Sequence, residues 1–269
     1  MSKVMTAKKF VDTAVNIAKN YKTLYIMGCF GAPMTKRNKE RYMDNCSYNR
    51  KPERKKKIAA ASSDTFGFDC VNLIKGILWG WDGSLDKTYG GAKYASNGVP
   101  DVGANYMMNY CTSKSTNFKN IVAGEVVHLD GHIGIYIGDG LVAECSPRWK
   151  DKVQITACAN IGEKKGYNSR KWTSHGKLKF IDYSDSPKGG VYMFEVERVT
   201  KGTSGEDTLL CQKLLKVDGY KGKDGKVLSL DGKCGDNTVY AITKFQEDQK
   251  ITPVDGICGK KTWTALLGV

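Results

Sequence analysis

Apolar positions along the chain follow two rhythms. Between Met1 and Lys19, the residues Val4, Phe10, Val11, Ala14, Val15 and Ala18 recur with lysines and polar residues between them, the spacing of an amphipathic helix. The stretch Val71 to Trp81 is helix-like and more apolar, with Cys70 at its start and Asp69 at the cap position. From Gly131 to Glu144 the rhythm changes to alternation: GHIGIYI, a turn at Gly138-Asp-Gly140, then LVAE, the pattern of a β-hairpin. A turn centred on Asp139 or Gly138 is expected to set His132 and Glu144, both six residues from Gly138, directly opposite each other on one face. A slip of one residue would send Glu144 to the other face. Val126 to Leu129 predicts a strand carrying His128, and His175 is expected just before a strand in WTSHGKLKFIDY, residues 172–183.

Turn-forming residues cluster at Ser184, Ser186, Pro187, Gly189 and Gly190, and again from Lys201 to Gly205. Val191 to Val199, between them, is strand-like and could close a first domain or bridge to a second. Beyond the boundary the pattern DGxCGxxT occurs at Asp231–Thr238 and again at Asp255–Thr262, a spacing of 24 residues. Each copy is a turn followed by helical apolar spacing: Val239, Ile242 and Phe245 in the first, Trp263, Leu266 and Leu267 in the second. Leu209, Leu210, Leu214 and Leu215 give a third helix ending near Gly219. The expected organisation is an α+β domain over 1–184, with a helix bearing Cys70 packed on an antiparallel sheet bearing His132. A linker over 185–204 and an all-α three-helix domain over 205–269 follow.

A length of 269 residues with 41% hydrophobic and 26% charged positions fits two soluble globular domains. No apolar run approaches the roughly 18 residues of a membrane span, so no membrane association is expected. The N-terminus lacks the uninterrupted apolar core of a secretory signal, which predicts synthesis in the cytoplasm and delivery by another route if the substrate lies outside. Nine cysteines, an odd number without regular spacing, argue against a disulfide framework. The formal charge of +14 implies an anionic partner. Residues 201–269 contribute 11 Lys and 9 acids, a net +2, so +12 lies on residues 1–200. Much of it falls between Lys36 and Lys57, where KRNKER and RKPERKKK show no helical periodicity and are expected to form a solvated loop. No nucleic-acid-binding motif accompanies the charge, and nucleic acid is not an expected partner. Three histidines and no HExxH pattern make a metallohydrolase an unfavoured reading, so neither metal nor cofactor is expected.

A thiol at a helix N-terminus meets unpaired N–H groups and a positive dipole end, which favour thiolate and can receive an oxyanion. With His132 as base and Glu144 as its orienting carboxylate, Cys70 completes the logic of a cysteine hydrolase. His128 is a rival base without an evident opposed carboxylate, and His175 is not expected to be catalytic.

The pieces FDCVNLI around Cys70, GHIGIYIGDG around His132, Glu144 and the closing KLKFIDY strand resemble the NlpC-like peptidoglycan peptidases, a circularly rearranged papain-like family, over about residues 5–184. The resemblance implies Cys70 as nucleophile, His132 as base and Glu144 as orienting residue, where the family more often has His, Asn or Gln. Tyr25-Ile-Met-Gly28 resembles the family's substrate-touching tyrosine, which makes Tyr25, with Asp69, the expected substrate contacts. The segment Leu209 to Leu267 resembles the peptidoglycan-binding domain appended to many wall hydrolases. It departs at Cys234 and Cys258, where matched burial is expected rather than pairing. Together these imply a monomeric endopeptidase cutting a stem peptide after γ-D-glutamate, a phage lysin whose partners are bacterial peptidoglycan and anionic wall polymers. The alternatives are an amidase cutting the muramoyl to L-alanine bond with the same residues, and a non-catalytic wall-binding protein.

Overall fold

All nine residues of the helix Cys70–Leu78 are buried, and the first unit is built around it. The computed structural model describes residues 3–184 and 196–267, and the chain divides into two compact units, Met1–Tyr192 and Met193–Val269. In the first, the buried helix packs against the strands Phe30–Pro33, His132–Gly138 and Leu141–Ser146 and against the helix Ala7–Asn20. That N-terminal helix starts where the Thr6 hydroxyl accepts the Lys9 N–H, a capping contact typically worth about 1 kcal/mol. It buries Phe10, Val11, Ala14 and Ile17, and each large side chain removed from water contributes roughly 1.5–3 kcal/mol.

Seven strands form the main sheet in the order Ser169–Arg170, Lys152–Cys158, Leu141–Ser146, His132–Gly138, Val126–Leu129, Ser174–Leu178 and Cys111–Ser115. All pairs are antiparallel except the first, which is parallel. A second sheet orders Thr23–Tyr25, Phe66–Phe68 and Phe30–Pro33. Phe10, Phe66, Phe68, Leu73, Ile74, Ile77, Ile133 and Ile135 share the core between these elements.

The hairpin turns at Asp139 and Gly140, both at positive φ, as a two-residue connection requires when its twist must match that of the strands. Its register differs from the expected one. Ile135 faces Ala143 and Tyr136 faces Val142, with an irregularity before Gly138. His132 and Glu144 are therefore diagonal rather than directly opposed. The offset is two residues, so the shared face is kept.

The basic segment is not a loop. It folds into helices Lys36–Asp44, Ser47–Arg50 and Pro52–Ala60, opened by the Thr35 hydroxyl accepting the Asn38 N–H and by Pro52 in the first turn. Apolar periodicity missed it because several of its anchors are polar. Asn38 donates to the Pro33 carbonyl at 2.7 Å, and Asn49 bonds both the Met27 N–H and its carbonyl. The buried Arg54 holds both oxygens of Asp151 at 2.8 and 2.7 Å and donates to the Tyr25 carbonyl. Apart from the buried Arg54, the charge run is the outward face of these helices.

In the second unit, helices Glu206–Val217, Asp236–Asp248 and Lys260–Leu267 surround Cys211, Leu215, Ile242, Phe245 and Trp263. The repeated DGxCGxxT turns have one physical cause. Gln212 donates to Asp231, the Lys233 carbonyl and Thr238, and accepts the Gly232 N–H. Gln246 does the same with Asp255, the Ile257 carbonyl, Thr262 and the Gly256 N–H. Each turn is thus pinned by a buried amide from the helix before it. Cys234 and Cys258 are both buried and unbridged. Of the strand expected at Val191–Val199, residues 191–195 lie outside the described residues, as does 185–195 of the expected linker. Val199 bridges Cys258 and is buried with the helices.

Candidate active site

Asp69 caps the central helix: Oδ1 accepts the Asn72 N–H at 2.8 Å, and Oδ2 accepts the Asn72 side-chain amide at 2.6 Å and the Gly28 N–H at 2.7 Å. The carboxylate is buried and both oxygens are engaged inside the protein, so its contacts brace the start of the helix against the turn after Tyr25. Burial raises its pKa, opposed by the N–H groups of Asn72 and Gly28.

Cys70 follows at the first helical position, 7% exposed. The backbone N–H groups of Ile133, Val71 and Cys70 itself favour its thiolate. Burial, followed by the Asp69 charge, outweighs them and pushes the thiol up to about 12. The thiolate expected from the helix end alone is therefore not the resting form at neutral pH, because desolvation of the sulfur exceeds the help of the amides. The Ile133 contact sets the sulfur beside the residue that follows His132.

His132 Nε2 meets Glu144 Oε2 at 2.6 Å. Burial would raise the Glu144 carboxyl, but the bond to His132 and the charges of His132 and Arg170, with the Thr156 hydroxyl, hold it below its ordinary value. An ionised carboxylate only accepts, so Nε2 carries the proton and neutral His132 has its lone pair on Nδ1. Nδ1 has no hydrogen-bond partner among the described residues. Arg170 Nε reaches Glu144 Oε2 at 3.0 Å, and Thr156 donates to Oε1 at 2.6 Å. Trp172 stacks on the imidazole, ring centres 5.5 Å apart and planes 12° from parallel. Gly134 makes this possible: a Cβ there would lie 2.7 Å from Val142 and 3.1 Å from the Trp172 ring.

Tyr25 ends a strand of the smaller sheet and is buried. Its ring packs edge-on to Tyr48 at 5.8 Å. Burial raises its phenol pKa, and the nearness of Cys70 and Asp69 raises it further. Tyr25, Asp69 and Cys70 therefore share one neighbourhood, and His132 and Glu144 share a hydrogen bond. Arg170, Thr156 and Trp172 escaped the sequence reading. Strand alternation could have flagged Thr156, but nothing local signals that Arg170, 26 residues on, returns to Glu144.

Of the other two histidines, His128 lies on the neighbouring strand opposite Ile133 and His175 on the strand beyond it. His128 Nε2 meets Asn105 Oδ1 at 2.9 Å, and burial lowers its pKa, opposed by Asp130. His175 lies within a strand rather than before it, its Nδ1 bonded to Glu125 and its Nε2 to the Asn117 carbonyl. Among the described residues no group of three or more His, Cys, Asp or Glu is placed to hold a metal, and no helix is long and apolar enough to cross a membrane.

The second unit carries a cleft of about 650 Å³ walled by Val196, Ile251, Pro253, Ile257, Trp263 and Leu267 and edged by Arg198, Lys260 and Lys261. Its three helices and both pinned turns coincide with the stretch that resembles a known family. Residues 204–266 match the family described as "Putative peptidoglycan binding domain". A solved structure, the crystal structure of the SleB N-terminal domain, is 34% identical over 28% of this chain and 96% of that chain, with a TM-score of 0.25. No curated protein matches the chain.

Proposed function

We propose that the first unit is an NlpC-like cysteine peptidase of papain type that hydrolyses an amide in the peptidoglycan stem peptide, with the helical unit holding the enzyme on its polymeric substrate. The observation that carries the reading is the pairing of a buried, ionised Glu144 with His132 Nε2 beside a helix-tip cysteine touched by the Ile133 N–H. A peptidoglycan-binding family match in the same chain supplies the substrate class.

In this mechanism Cys70 Sγ attacks the scissile carbonyl while its proton passes to His132 Nδ1. The raised thiol pKa makes that transfer part of the attack step rather than a prior ionisation. The first N–H groups of the helix receive the negative charge forming on the carbonyl oxygen. The resulting imidazolium, held by Glu144, gives its proton to the departing amine, leaving a Cys70 thioester. Water deprotonated by His132 then attacks the thioester, releases the carboxylate product and restores the thiol. Arg170 and Thr156 keep Glu144 ionised throughout. The bond after γ-D-glutamate is the favoured target, and lysis of a bacterial wall, reached with the help of another membrane-permeabilising protein, is the proposed role.

Mass spectrometry of purified walls after digestion tests the reading. A new free amine on the third stem residue is the expected product. A freed L-alanine amine would instead mark an amidase, and intact wall would mark a non-catalytic binding protein.

A further inference from the structure

Beside the start of the central helix lies a cleft of about 470 Å³ lined by Gly28, Phe30, Arg41, Asn72, Tyr89, Tyr94 and Asp101. Two of its lining residues, Asn72 and Gly28, are tied to the start of the helix that carries the proposed nucleophile. Asn72 is the third residue of the helix that begins at Cys70, and the Gly28 N–H is bonded to Asp69, the residue before Cys70. The floor is aromatic: the Phe30 ring centre is 4.5 Å from that of Tyr89 and 5.9 Å from that of Tyr94.

The charges of this cleft do not cancel. Asp101 is held by Lys75, itself buried and also bonded to the Val102 carbonyl at 3.0 Å, and by the Tyr94 hydroxyl at 2.8 Å. Its charge is thereby matched within the protein. Arg41 has no acidic partner among the described residues. Its guanidinium donates to the Tyr89 hydroxyl and lies 5.4 Å from that ring centre, which fixes the side chain while leaving N–H donors free. A guanidinium held in this way presents a planar fork suited to a carboxylate. Arg41 belongs to the helical basic segment, in which Lys55 is paired with Asp44 and Lys57 with Asp151.

We infer that this cleft is a substrate subsite in which Arg41 binds a free carboxylate of the stem peptide next to the scissile amide, with the peptide's aliphatic part on the Phe30, Tyr89 and Tyr94 rings. The inference rests on the peptidase reading above and adds to it a preference for an acidic over an amidated peptide.

The test is a binding measurement on the full-length chain carrying Cys70→Ala, so that no turnover occurs. Two soluble stem peptides are titrated that differ only in D-isoglutamate against D-isoglutamine, a carboxylate against a carboxamide. The carboxylate peptide is expected to bind about tenfold tighter, the scale of one charge-assisted hydrogen-bonded pair. Adding Arg41→Ala should erase that preference, and Arg41→Lys should retain part of it. Equal binding of the two peptides, a preference that survives Arg41→Ala, or no measurable binding of either peptide would overturn the subsite. Failure of the wild-type protein to release new amines from walls would overturn the peptidase reading by itself, since the binding measurement does not involve the thiol.

Discussion

His132 and His175 each meet a buried glutamate in the same seven-stranded sheet, yet their second nitrogens end differently. His132 gives Nε2 to Glu144 and leaves Nδ1 without a partner among the described residues. His175 gives Nδ1 to Glu125 and Nε2 to the Asn117 carbonyl. Both acceptors of His175 favour a proton on the nitrogen they face, which favours the charged ring over one with a lone pair to offer. Burial opposes that charge, but Glu125 and the Asn117 carbonyl outweigh it and raise the His175 pKa. An imidazole–carboxylate pair is thus compatible with base chemistry only where the protein withholds the second acceptor.

Substituting the two histidines should separate them most widely. His132→Ala is expected to lower kcat on purified walls by about 10⁴-fold, the upper range of a lost general base, while His175→Gln leaves kcat per folded molecule unchanged. Equal losses in both would erase the distinction.

Glu144→Gln should cost about a hundredfold in kcat. A neutral amide no longer stabilises the imidazolium, and it leaves the Arg170 charge partly unmatched. Steady-state rates with the melting curve as a folding control give the readout.

The same comparison appears in stability. His175→Gln leaves Glu125 buried without its cation and is expected to destabilise the first unit by about 3 kcal/mol, measured by denaturant unfolding. The folded pKa of His175 lies above the ordinary 6.5. Its stabilisation is therefore fully present below about pH 6.5 and is lost as the pH rises through the folded value. Unfolding midpoints across that range should fall in the wild type and flatten in His175→Gln. Glu144 has the opposite sign: its pKa is lowered from 4.5, so its contribution is present above that value and disappears as acid protonates it.

The smallest effect concerns the thiol at rest. With Cys70 pushed up to about 12, its alkylation by iodoacetamide should be slow at pH 7 and keep rising into the alkaline range. A plateau already reached near neutrality would show a preformed thiolate instead.

Elements made by neighbours in the chain were legible. Asp69 and Cys70 at a helix start, a turn within Gly138-Asp139-Gly140 and the helices after each DGxCGxxT turn all follow from signals a few residues long. What escaped depends on long reach. Glu125 meets His175 across 50 positions, and Arg54 meets Asp151 across 97. The basic segment was misjudged because Asn38, Asn49 and Arg54 anchor it through polar contacts, which a hydrophobic pattern does not register. The two-residue offset of the hairpin arises because the turn falls at Asp139 and Gly140 rather than at Gly138, a three-residue shift that the one-residue irregularity beside Gly138 cuts to two, and alternation alone is blind to a shift that keeps every side chain on its face.

The proposal that Cys70 is the nucleophile is tested most directly by the clearing of purified cell walls, followed as turbidity, with wild-type protein and Cys70→Ala at equal bound amounts. Wild type should clear the suspension while Cys70→Ala sediments with the walls and leaves them intact. Clearing by Cys70→Ala at the wild-type rate would contradict the mechanism.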